Sequence, residues 1–281
     1  MRTKMRVLLK IRAFVVCALV GALTVVATPG VAADTLEAIK ERGKLIAGIR
    51  SDNPPVGYYD EGGKLAGFAV DIANAVAERL EVDIEYVPTN GKTRVPLVKN
   101  GRVDAEFGST TPSRSRDEVV DFTIVYIWDT VVPLVRKGDS KKHTDYGPPK
   151  KVASTQGNFT IPLFLQDVPN GEVVRFQEFP EAVVALLNEK VDAVLLARFA
   201  AKSWANKYEG KLEVGEPFFE DPQAIIVREN DSNWRDHLNF TLQEMWHEGE
   251  FQRLYAKNFG YPPKWDSIWS MRRLQPGVIK K

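Results

Sequence analysis

The sequence predicts an α/β chain built as two lobes. Three observations carry that expectation. Apolar runs of strand length alternate with stretches of helical period from Leu45 to Phe259. The alternation forms two comparable sets, parted by a polar, Gly- and Pro-containing stretch at Lys137–Pro149. Finally, 281 residues less a 33-residue leader leave 248, more than one core of roughly 100 to 150 residues holds.

The leader comes first. Arg2, Lys4, Arg6, Lys10 and Arg12 precede an uncharged apolar run from Ala13 to Ala27, and Val31-Ala32-Ala33 offers a small-residue cleavage site before Asp34. The run is short for a membrane span and no basic cluster follows it, so residues 1–33 read as a cleaved export signal. Cys17 lies inside this run behind Val15 and Val16, a context that does not suit lipid attachment, and it is the single cysteine. An exported chain beginning at Asp34 therefore relies on its core and not on disulfides. Without the leader's 5 basic residues the 38 basic and 37 acidic residues become 33 against 37, a net charge of −4 that argues against nucleic acid as a partner.

Strand and helix signals then follow in order. Leu45–Arg50 is an apolar strand, and Gly67–Leu80 passes from a short strand into a helix with Phe68, Ile72, Val76 and Leu80 on one face. Val82–Pro88 alternates as a strand, Thr93–Asn100 is a short helix stopped by Gly101, and Val103–Gly108 is another strand. Thr130–Arg136 reads as a strand before the polar loop. The second set comprises strands at Lys151–Thr155, Val173–Phe176 and Val191–Ala197, with helices at Phe159–Asp167, Pro180–Lys190 and Ala200–Lys207. Strand Ala224–Val227 precedes two helices, Asn233–Glu248 and Glu250–Phe259, parted at Gly249; the tail from Gly260 follows no clear period.

Chemistry concentrates in G-S-T-T-P-S-R-S-R at Gly108–Arg116. Ser109, Thr110 and Thr111 offer hydroxyls and backbone N–H groups, and Arg116 offers a planar fork matching a carboxylate. The same run also reads as a capped helix start with a surface arginine. No pair of His143, His237 and His247 has convincing metal spacing, so no metal is expected, and no cofactor motif occurs; Glu61-Gly62-Gly63-Lys64 is a turn and not a phosphate loop. Asp71 reads as a helix brace, and Tyr58, Tyr59 and Trp128 as candidate cleft aromatics.

Taken together, G-x-x-x-D-I-A-x-A-V-A at Gly67–Ala77, R-V-P-L-V-x-N-G at Arg94–Gly101, V-D-A at Val103–Ala105 and the clamp running into Asp121-Phe122-Thr123 resemble the periplasmic solute-binding proteins of the polar amino acid ABC transporters, family 3. The resemblance spans roughly Thr35–Phe259. It implies the type II periplasmic binding protein fold, two α/β lobes joined by two crossover strands, with lobe 1 at 34–126 and 223–281 and lobe 2 at 127–222. It also implies a monomer in the periplasm, a small carboxylate or amino acid ligand between closing lobes, an ABC permease as partner, and no catalysis.

G-I-R at Gly48–Arg50, P-x-G-Y-Y-D at Pro55–Asp60 and the G-S-T-T form of the clamp are similar to the glutamate/aspartate-type binders. On that resemblance Arg116 with Ser109 and Thr111 takes the carboxylate common to amino acids, and Arg50 with Arg94 takes a side-chain acid. Thr155, Asn158 and Thr160 open a helix as second-lobe contacts, with a structural cap the equal reading of Asn158. Three guanidiniums in one cleft call for anionic charge. The chain departs from the pattern where Ala197 replaces the aspartate that holds the ligand's ammonium, where Phe179 replaces a histidine, and where Gly91 replaces a serine. The ligand is therefore expected to be either an acidic amino acid using another acceptor or an organic acid without an α-ammonium. An enzyme of the same fold, dehydratase-like, is the competing class, with Glu178, Glu181, Glu220 and Asp221 as its candidate acids.

Overall fold

The computed structural model describes residues 34–265, so the export signal read at 1–33, with its cysteine at position 17, and the tail beyond 265 lie outside the described residues. The chain opens with a helix that the periodicity above did not reveal, α1 at Thr35–Arg42. Its signals are terminal ones. The Asp34 carboxylate accepts from Leu36 N at 3.0 Å, and Gly43 closes the helix at φ 66°.

Strand β1 (Lys44–Arg50) runs into a small antiparallel sheet of β2 (Asp52–Asn53), β3 (Gly57–Tyr59) and β4 (Leu65–Ala66). Helix α2 (Phe68–Arg79) buries Phe68, Ile72 and Val76, the apolar face its sequence spacing predicts. Strand β5 (Asp83–Thr89), helix α3 (Arg94–Lys99) and strand β6 (Ala105–Thr110) follow, then the short helix α4 (Arg114–Asp117) and strand β7 (Val120–Phe122). A long strand, β8 (Ile127–Arg136), starts three residues before the sequence signal at Thr130.

The polar stretch holds one 3₁₀ turn at His143–Tyr146. Beyond it come β9 (Lys151–Thr155), α5 (Thr160–Asp167), β10 (Glu172–Phe176), α6 (Phe179–Leu187), β11 (Ala193–Ala197), α7 (Arg198–Lys207) and β12 (Leu212–Val214). A second long strand, β13 (Phe219–Arg228), precedes α8 (Ser232–His247) and α9 (Glu250–Phe259). It begins five residues before the sequence signal at Ala224, because Phe219–Gln223 carry no apolar alternation, are exposed in part and gain strand geometry from pairing, not from composition.

Thirteen strands among the described residues make the three-stranded sheet and one ten-stranded sheet, of order β10-β9-β11-β8-β13-β6-β1-β5 with β12 paired to β8 and β7 to β13. One half is parallel through β5, β1 and β6; the other is parallel through β10, β9 and β11. The antiparallel β8–β13 pair joins the two half-sheets, with Ile127–Val131 facing Gln223–Phe219. Two strands joining two half-sheets is the architecture of the type II binding-protein fold. Phe68 anchors the first half: its ring lies 5.4 Å from Phe251, 5.5 Å from Tyr255 and 5.8 Å from Tyr126. Asp71 braces the same helix, accepting from Lys257 Nζ at 2.8 Å and Asn258 Nδ2 at 2.6 Å.

Candidate ligand-binding site

The ends of β1, β6 and β11 and the polar start of β13 converge on one buried polar cavity. From the first half it is lined by Arg50, Asn53, Arg94 and Ser109; from the second by Asn158, Phe159, Thr160, Phe179 and Ala197; and from the joining strand by Asp221 and Gln223. Its free volume is about 20 Å³, room for roughly one water. A solute of amino-acid size does not fit in that volume.

Strand alternation explains how β6 supplies two kinds of group. Glu106, Gly108 and Thr110 share one face, and the buried Glu106 carboxylate accepts from Thr110 Oγ1 at 2.9 Å and Thr89 Oγ1 at 3.3 Å. Glycine at 108 is what leaves room for that carboxylate, since a Cβ there would sit 2.0 Å from Glu106 Oε1. Burial holds the Glu106 carboxyl above its usual range, an effect that Arg94 opposes.

Arg94, at the first residue of α3, is 1% exposed. Its Nη1 donates to Ser109 O at 3.0 Å and Thr110 Oγ1 at 2.9 Å, while its buried Nε has no partner. Desolvation, then Arg116 and Arg50, pull its pKa well below the usual guanidinium value. Arg50 differs. Burial pulls it down, but Asp52, reached by Nε at 2.6 Å, more than compensates and leaves it raised. Arg50 also lies 5.3 Å from the Phe179 ring centroid, a cation–π contact in the position read as a histidine replacement.

Five of the eight residues singled out in the sequence line the cavity: Arg50, Arg94, Ser109, Asn158 and Thr160. Asn158 Oδ1 accepts from the backbone N–H of Thr160, the first residue of α5, at 3.1 Å, and Thr160 Oγ1 meets Ser154 Oγ at 3.0 Å. Thr111, Arg116 and Thr155 are not among the lining residues, though Thr111 and Thr155 bond directly to it. Thr111 Oγ1 donates to Asp221 Oδ1 at 2.7 Å, and Thr155 Oγ1 accepts from Arg50 Nη2 at 3.5 Å. Arg116 spans the halves, donating to Thr111 O at 2.7 Å and Gly157 O at 2.8 Å.

The three guanidiniums do not stand alone. Asp52, Glu106 and Asp221, all buried, supply three carboxylates to the same site. The charge argument for a diacid counted only the cations, and it loses its premise here. Asp221, a candidate acid of the enzyme reading, is engaged: its Oδ1 accepts from Thr111 and its Oδ2 from Gln223 Nε2 at 2.6 Å. Burial pushes its carboxyl up to about 6. Glu178 and Glu181 are occupied as the capping box of α6.

Sequence reasoning passed over Asn53, Asp52, Glu106 and Gln223. Asp52 and Gln223 were within reach of it, because each lies two residues from a singled-out group, Arg50 or Asp221, on the same face of an extended chain. The aromatic candidates serve other spaces. Tyr58 and Tyr59 line a mouth of about 540 Å³ beside Trp204, and Trp128 lines a separate cavity of about 240 Å³ with Tyr255 and Tyr261. Among the described residues no cluster of His, Cys, Asp and Glu could hold a metal ion, and no helix is long and apolar enough to cross a membrane.

Comparison with known proteins agrees with this fold. The sequence pattern of the bacterial extracellular solute-binding proteins, family 3, matches residues 45–261. The ABC transporter glutamine-binding protein of Bacillus subtilis is 28% identical over 229 residues, covering 80% of this chain and 84% of that protein. The glutamate/aspartate import solute-binding protein of Salmonella typhimurium is 26% identical over 253 residues, covering 82% and 81%. An ancestral arginine-binding protein solved with glutamine bound superposes with a TM-score of 0.74 at 30% identity, over 78% of this chain and 99% of that one.

Proposed function

Because the chain belongs to the bacterial extracellular solute-binding proteins of family 3, we propose that it captures an amino acid between two lobes in the periplasm and presents it to the permease of an ABC importer. It is a binding component of amino acid transport and not an enzyme. Residues 1–33 direct export and are removed. Lobe 1 comprises 34–126 and the described residues from 223 onward, lobe 2 comprises 127–222, and the β8–β13 pair serves as the hinge.

The observation that carries the reading is Arg94, a guanidinium 1% exposed, in a polar cavity, with an Nε that no protein group uses. A ligand carboxylate matches that donor, and Ser109 stands beside it. Arg50 is already balanced by Asp52 and orders the wall. Arg116, Thr111 and Thr155 hold the lobes and the lining in place, with Asn158 and Thr160 presenting the start of α5. Glutamine, glutamate and aspartate are the first solutes to test, since the relatives are named for them.

Thermal unfolding of the exported protein against the twenty amino acids tests the proposal. A ligand at 100 times its Kd stabilises by about 2.7 kcal/mol, which raises Tm by roughly 5 to 10 °C in a chain of this length. At least one polar amino acid is expected to do so. No shift with any amino acid at millimolar concentration would overturn the reading.

A further inference from the structure

We propose that Asp221, together with Gln223 Oε1 and Asn53 Oδ1, receives the α-ammonium of the ligand in place of Ala197, so that the solute is an amino acid and not an ammonium-free organic acid. The inference rests on the function proposed above and specifies which chemistry the cavity selects.

Ala197 ends β11 at the cavity wall and presents only a methyl group. The wall is nevertheless rich in acceptors on its other side. Asp221 is 2% exposed, and each of its oxygens accepts one hydrogen bond, Oδ1 from Thr111 and Oδ2 from Gln223. A carboxylate has about four lone-pair sites, so both oxygens retain capacity.

The contact to Asp221 also fixes Gln223. The amide atom 2.6 Å from a carboxylate oxygen is the NH₂, which leaves Oε1 as the other, and Oε1 is buried without a partner. Asn53 repeats the pattern: Nδ2 donates to Ser109 Oγ at 2.7 Å, and Oδ1 is buried without a partner. Asp221, Gln223 and Asn53 line the same small cavity. Orphaned buried acceptors are uncommon in folded proteins and call for a donor.

An ammonium brings three N–H donors and one positive charge. Three acceptors, one of them anionic, match it in number and sign. Arg94 lines the same cavity and has a buried Nε without a partner, a donor for the carboxylate that completes a zwitterion. An acid lacking the ammonium would set its own charge near Asp221 and leave both amide oxygens unanswered.

Calorimetric titration of the exported protein with L-glutamine, L-glutamate and their deaminated counterparts, glutaramate and glutarate, tests this. The wild type is expected to bind at least one of the two amino acids a hundredfold or more tightly than its counterpart. Asp221→Asn should lower the amino acid's affinity 10- to 100-fold while leaving the counterpart's unchanged or improved. Equal wild-type affinity for an amino acid and its deaminated form overturns the inference without touching the transport reading, and it needs no variant. Unaltered amino acid affinity in a folded Asp221→Asn also overturns it. Absence of binding by these four and by every other amino acid overturns the transport reading and this inference together.

Discussion

Gly91→Ala separates closure from folding. Gly91 lies between β5 and α3, against the backbone of the other half: a Cβ there would sit 2.5 Å from Gln156 O and 3.3 Å from Thr155 Oγ1. Ordinary contact begins at 3.4 Å, so the added carbon intrudes on the carbonyl by about 0.9 Å. The carbonyl belongs to a backbone that cannot yield easily, because Gln156 N is bonded to Phe176 O at 2.9 Å and Gly157 approaches Gly91 O in return. Overpacking of this kind costs about 1 to 3 kcal/mol. On the hinge reading the cost falls on the closed form alone, which weakens ligand binding by roughly 5- to 150-fold. Gly91 does not occupy the left-handed region, so alanine suits its backbone, and loss of unfolded-state freedom should leave ligand-free stability unchanged or raised by about 0.4 to 1 kcal/mol. Titration with the tightest amino acid gives the first number and urea unfolding the second. Affinity within twofold of wild type in the folded variant would refute the closure argument.

The remaining expectations concern charge. Asp221, pushed up by burial to about 6 from 3.8, must be ionised to receive an ammonium, so amino acid affinity should rise about tenfold from pH 5 to pH 7. The sign for folding is opposite: the native carboxyl holds a proton between about pH 4 and 6 where the unfolded one does not, so its contribution to stability falls as pH rises through that window. Arg94 and Arg116 oppose the shift, and Asp129, raised to about 6 by burial with a smaller contribution from Asp221, titrates alongside; titration of Asp221→Asn over the same range isolates the part due to Asp221, and a pH slope equal to wild type would contradict the assignment. Asp52→Asn should destabilise by about 3 to 5 kcal/mol in urea unfolding at pH 7, because it leaves the 3%-exposed Arg50 without its carboxylate and weakens the acceptor of Phe179 N; a loss below about 1 kcal/mol would mean the pair is not desolvated.

Much of the first half-site was legible in the sequence. Arg50, Arg94 and Ser109 sit at the ends of well-patterned elements, and strand or helix signals place such ends reliably. Asp221 was not read as a ligand group because its role comes from a pair far apart in sequence. Thr111 meets Asp221 across 110 positions, and Asp52 meets Phe179 N across 127. The same holds for the fold. Phe219–Gln223 carries no apolar alternation and becomes strand only against Ile127–Val131. Helix α1 shows the other limit, a segment whose caps at Asp34 and Gly43 were present but whose period was weak. The second-lobe departure at Ala197 was visible, yet the group that answers it lies on the joining strand, a place only the folded chain reveals.

A crystal structure of the exported protein with the amino acid that stabilises it most tests the central claim most directly. The account predicts one ligand in the polar cavity at the β8–β13 junction, its carboxylate on Arg94 and its ammonium within hydrogen-bond reach of Asp221 and Gln223. A ligand seated instead in the Trp128–Tyr261 cavity, or bound in the junction with its ammonium turned away from Asp221, would contradict it.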